Sequence, residues 1–82
     1  MASLPVISGS ETVRVFERFG WTVARQTSSH IIMTQEGQIA SLSIPNHKEV
    51  ARGTLRSLIR SANLTVDEFV TELKVIKECL LS

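Results

Sequence analysis

Two four-residue stretches near opposite ends of the chain carry the same helix-start signature, and the apolar spacing changes between them. Ser8-Gly9-Ser10-Glu11 and Thr65-Val66-Asp67-Glu68 each place a hydroxyl residue three positions before a glutamate. This is a capping box: the hydroxyl accepts from a free amide of the first turn, and the carboxylate reaches back to the cap amide. The first box predicts a helix running to about Phe19, with Val13 and Phe16, joined by Val15 and Phe19, on its apolar side. Gly20 suits the position after it, where a left-handed backbone closes the helix. The second box opens a last helix with apolar positions Val66, Phe69, Val70, Leu73, Ile76 and Leu80.

Between the boxes the period falls to two. Trp21, Val23 and Arg25 alternate with Thr22, Ala24 and Gln26, which predicts a strand, and Thr27-Ser28-Ser29 is a polar connection. His30 to Thr34 reads as a second strand, Gln35-Glu36-Gly37-Gln38 as a hairpin turn, and Ile39 to Ile44 as a third strand with Ala40, Leu42 and Ile44 facing one way. Pro45 ends the pairing. Leu55, Leu58, Ile59 and Ala62 then return to helical spacing, predicting an amphipathic helix near 54–62 that ends at Asn63. The order α-β-β-β-α plus one additional C-terminal helix implies an α+β fold, a three-stranded antiparallel sheet with helices on one face. The other sheet face is left to water or to a ligand.

A chain of 82 residues with 43% hydrophobic residues has room for one domain, taken as 1–82 with 65–82 as a helical extension. Its net charge of +1 suggests no particular partner, but the charge is unevenly spread. Residues 12–62 carry seven basic groups against three acidic ones, and residues 63–82 carry two against four. The single Cys79, read as a small apolar residue of the last helix, has no partner for an internal disulfide. Met1 to Gly9 lacks the character of a signal peptide and no apolar run approaches membrane-spanning length, so the expected address is the cytoplasm.

Several chemistries are excluded by spacing. His30, His47 and Cys79 are far apart in sequence, and no metal-binding pair such as C-x-x-C or H-E-x-x-H occurs, so no metal site is expected. The four glycines form no phosphate loop. Ser29 beside His30 makes no triad, because adjacent strand residues point to opposite faces and no third group orients the imidazole. What remains is His30 after a polar turn, His47 in a loop, and a basic set. Arg52, Arg56 and Arg60 lie at i, i+4 and i+8, so a helix starting near Arg52 presents them along ~12 Å of one side, with Lys48 just upstream. Such a ridge spans a few phosphates of a nucleic acid. Each feature also has a plain structural reading: a solvated helix face, a partly buried histidine, a loop histidine, and Trp21 with the phenylalanines in the core.

Taken together, Gly20-Trp21, Arg25-Gln26, Ser29-His30, Ile44-Pro45-Asn46-His47 and Gly53-Thr54-Leu55-Arg56-Ser57-Leu58-Ile59-Arg60 resemble, in order and spacing, the HicA toxin family of small mRNA interferases, also described as YcfA-like. The resemblance runs from Ile7 to Phe69 and implies a fold like that of double-stranded-RNA-binding domains. It also implies that His30 is the catalytic residue, since the family's histidine lies in Gly-Ser-His; here that motif is Ser28-Ser29-His30. A serine at the first position is a poorer fit if the turn requires a positive φ. His47 is a candidate second acid or base, and Arg25, Lys48, Arg52, Arg56 and Arg60 are candidate RNA- or phosphate-binding residues. The implied activity is a metal-independent endoribonuclease with no cofactor, and the implied partners are mRNA and a HicB-like antitoxin. Two other readings use the same residues differently: a non-catalytic RNA-binding module, and an interaction protein built around its last helix.

Overall fold

The computed structural model describes residues 4–81, with side chains for residues 4–77. The elements follow the order α1 (Gly9–Arg18), β1 (Thr22–Gln26), β2 (His30–Thr34), β3 (Leu42–Pro45), α2 (Arg52–Ser61) and α3 (Val66–Leu81). The strands form one antiparallel sheet in the order β1-β2-β3. The helix α1 lies across all three strands and α2 packs on β3, while α3 packs against α1 and α2. This is the α+β arrangement expected from the element order.

Both capping boxes form. At α1, Ser8 Oγ accepts from the Glu11 amide at 3.2 Å and the Ser8 amide donates to Glu11 Oε1 at 3.3 Å. At α3, the Glu68 amide donates to Thr65 Oγ1 at 3.1 Å and the Thr65 amide donates to Glu68 Oε1 at 2.9 Å. The ends are as local as the starts. Gly20 takes φ +93°, which lets its amide reach the Glu17 carbonyl and the Trp21 amide reach the Phe16 carbonyl, a Schellman closure. Asn63, at φ 60°, closes α2 the same way through Leu64 and Ile59.

The core is the layer between sheet and helices. Val15, Phe16, Trp21, Ile31, Met33, Leu42, Ile44, Leu55, Ile59 and Phe69 are buried there. The Phe16 and Phe69 rings meet with centroids 5.3 Å apart at 57°, which seats α3 on α1. Full burial of each ring contributes about 1.5–3 kcal/mol, and the tilted pair adds about 1. The buried hydroxyl of Thr12 is satisfied by donating to the Ser8 carbonyl at 2.8 Å. The side chains of Cys79 and Leu80 lie outside the described residues.

Three expectations require correction. Trp21 stands outside β1, buried as the residue that closes α1, and the strand begins at Thr22. The alternation expected along β1 is broken by a register shift between Val23 and Arg25. The third strand runs over Leu42–Pro45 instead of 39–44, with Ile39 and Ala40 exposed and Pro45 paired with His30. After Thr34 the chain leaves the ladder, and the Gln35 side-chain amide donates to the Phe19 carbonyl at 2.7 Å. Residues 39–41 are thus left without a facing strand.

Candidate active site

His30 is exposed, at the first position of β2. In that strand Ile31 and Met33 are buried against the helices, so His30, Ile32 and Thr34 belong to the opposite, open face. The turn before it is held by hydrogen bonds. The Thr27 amide donates to the His30 carbonyl at 2.8 Å, and the His30 amide donates to Thr27 Oγ1 at 3.0 Å. The Asn46 amide donates to the Ser29 carbonyl at 2.9 Å, which ties the turn to the end of β3. Ser29 Oγ lies 3.1 Å from Nδ1 of His30. The argument that neighbours on a strand point apart fails here because Ser29 precedes the strand and is free to turn toward the ring. Ser28 has an ordinary backbone, since Asn63 is the one non-glycine residue with positive φ among those described. The conformational objection to serine at that position therefore falls away.

The break in β1 alters the open face. Arg25 pairs with Ile32 and Thr22 with Thr34, and directly paired residues share a face. A regular strand would have kept Arg25 on the side of Val23, which pairs with the buried Met33. The bulge at Ala24 instead puts Arg25 on the face of His30, together with Ser43, the partner of Ile32 across the sheet.

At the end of the sheet where Pro45 pairs with His30, the chain continues into the loop 46–51. The His47 carbonyl accepts the Gly9 amide at 2.8 Å, and the Val50 amide donates to the Ile7 carbonyl at 2.7 Å, so the loop is anchored on the start of α1. His47 and Lys48 are exposed within it. Arg52 is committed elsewhere, its Nε donating to the Leu4 carbonyl at 2.9 Å. Arg56 and Arg60 are exposed on α2 and form no ion pair among the described residues, where the ion pair present joins Arg18 to Glu72 at 3.8 Å. They belong to the helix layer, whereas Arg25 and His30 belong to the open sheet face. The expected ridge is thus divided: its first member holds the N-terminal segment, and the other two stand on a different layer from the histidine. Thr27 and Asn46, which brace the turn, were assigned no role from sequence. Thr27 had a readable signal, a hydroxyl residue three positions before the histidine in a polar turn.

A concavity of ≈ 130 Å³ between α1 and α3, lined by Ser10, Glu11, Arg14, Leu73, Ile76 and Lys77, contains none of these residues. The histidine site is an open surface and not a cavity. No three His, Cys, Asp or Glu side chains among the described residues are grouped to hold a metal ion, and no described helix is long and apolar enough to cross a membrane.

Fold and site define a small α+β domain whose uncovered sheet face presents a braced histidine and, on the same face, an arginine. The family model for the HicA toxin of bacterial toxin–antitoxin systems matches residues 9–64, from the first helix through the end of α2. The chain belongs to that family. Membership carries the toxin role and, with it, an antitoxin as partner. A comparison with curated proteins found no match.

Proposed function

We propose that this toxin is a metal-independent endoribonuclease acting on mRNA, with His30 as its catalytic residue. The observation that carries the reading is the exposed, hydrogen-bonded imidazole of His30 on the same open face as Arg25. RNA supplies its own nucleophile in the 2′-hydroxyl. Cleavage therefore needs a base for that proton, an acid for the departing 5′-oxygen, and positive charge for the phosphate. Histidine side chains titrate near ~6.5 in model peptides, which suits them to proton transfer at neutral pH.

His30 takes the 2′-hydroxyl proton, and the 2′-oxygen attacks phosphorus as the bond to the 5′-oxygen breaks, giving a 2′,3′-cyclic phosphate. The 5′-oxygen leaves with a proton from His47 or from water. Arg25 and Lys48 hold the scissile phosphate, and Arg56 and Arg60 hold backbone further along the strand. Alanine at Arg25 or Lys48 lowers the salt dependence of RNA binding by about one ion per residue. The antitoxin is HicB-like and covers the open face, and the pair works in the cytoplasm. Beyond the segment matched by the family model, α3 (Val66–Leu81) extends the domain as part of the same unit.

Expression of wild type beside His30→Ala in bacteria tests the reading. Wild type arrests growth and degrades mRNA, and the variant does neither; equal toxicity of the two refutes it. One observation favours a second reading, a non-catalytic RNA-binding module: Arg56 and Arg60 stand on the helix layer, away from the face of His30. Salt-sensitive RNA binding without cleavage would identify that case.

A further inference from the structure

The turn before β2 contains more order than a connection between exposed strands requires. Thr27 clamps the His30 backbone from both sides, its Oγ1 accepting the His30 amide at 3.0 Å and donating to the His30 carbonyl at 3.1 Å. Ser29 is fixed in turn, since its carbonyl takes the Asn46 amide at 2.9 Å from the neighbouring strand end. The one protein group bonded to the imidazole among the described residues is Ser29 Oγ, 3.1 Å from Nδ1. That leaves Nε2 to the solvent on the open face.

We infer that Ser29 is a positioning residue that accepts a hydrogen bond from Nδ1–H of His30 and so keeps Nε2 as the free, proton-accepting nitrogen. The inference rests on the proposed role of His30 as a base. A hydroxyl can donate or accept, so the contact alone admits two tautomers. If Ser29 donated, Nδ1 would hold the lone pair under the serine and Nε2 would already carry a proton; the outward nitrogen could then take none from a ribose. With Ser29 accepting, Nε2 takes the 2′-hydroxyl proton, and the same Nδ1–H bond persists in the imidazolium. Nothing in the turn has to rotate during the transfer. Free histidine favours the opposite tautomer, with its proton on Nε2, so an Nδ1–H form in the folded protein would be the signature of the serine's effect.

Long-range nitrogen–proton NMR on histidine-labelled full-length protein, at a pH where the rings are neutral, reads the tautomer directly and requires no RNA. Wild-type His30 is expected as the Nδ1–H form, Ser29→Ala as mainly Nε2–H, and Ser29→Thr as wild type. In RNA cleavage, Ser29→Ala is expected to lower kcat by about tenfold with KM little changed, and Ser29→Thr to recover it. An Nε2–H tautomer in the wild type, or a Ser29→Ala spectrum identical to wild type, overturns the inference. A tautomer that responds to Ser29 in a protein that cleaves no RNA supports the positioning role and refutes the enzymatic reading instead. Backbone amide shifts of α2 and α3, which among the described residues make no hydrogen bond to the turn, report whether the fold is intact.

Discussion

The two ends of the sheet are built to different standards. At the end holding His30, four separate segments are tied together: the turn 27–29, the end of β3, the loop 46–51 and the start of α1. At the other end, β2 and β3 are joined by residues 35–41, where Gln38 closes a turn on Gln35 and Ile39 stands fully in solvent. Both the turn 27–29 and the connection 36–41 are exposed. The difference teaches that exposure and order are separate properties. A surface can be open to a large ligand while its side chains are held by backbone hydrogen bonds beneath them.

Substitutions at the two ends test this contrast. The largest effect is expected at Gly9, where a Cβ would overlap the Pro45 carbonyl oxygen and press on Asn46. Gly9→Ala should destabilise the protein by about 1–3 kcal/mol, read from urea unfolding, and loosen the strand end that faces His30. Thr27→Ala should cost about 1.5 kcal/mol through the lost clamp and speed hydrogen exchange at the His30 amide. At the opposite end, Gly37 takes φ +85° with open space around it, so Gly37→Ala should cost only about 1 kcal/mol of backbone strain and leave RNA cleavage unchanged. Ile39→Ser should change stability by less than about 0.5 kcal/mol, measured by thermal melting. A large loss at Ile39 with little at Thr27 would reverse the comparison.

What could be read from sequence was local. Ser8 and Glu11, Thr65 and Glu68, Gly20 and Asn63 act within a turn or two of chain, and each end they predict is present. The features that sequence reasoning missed depend on distant partners. The break after Val23 is defined by which residue of β2 stands opposite, so nothing in Thr22 to Gln26 announces that Arg25 joins the face of His30. Ile39 and Ala40 have the alternation of a strand but no strand to face, and the chain opposite them turns away at Gln35, whose side chain is bonded to Phe19, 16 residues earlier. Arg52 fits an arginine ridge by spacing, yet its partner Leu4 is 48 residues away. The place of His30 at a strand start after a polar turn was legible; its exposure was not, since the same residues admit a partly buried histidine, and neither was the tie from Asn46, which comes from the loop after β3.

The proposed role of His30 is that its imidazole cleaves RNA without help from a metal ion. The direct test is incubation of single-stranded RNA with purified wild type and His30→Ala in EDTA, followed by analysis of the fragment ends. Wild type is expected to give fragments ending in 2′,3′-cyclic phosphate and to leave the matching DNA uncut, and the variant to leave the RNA intact. Equal cleavage by the variant, or wild-type cleavage that stops in EDTA, would contradict it.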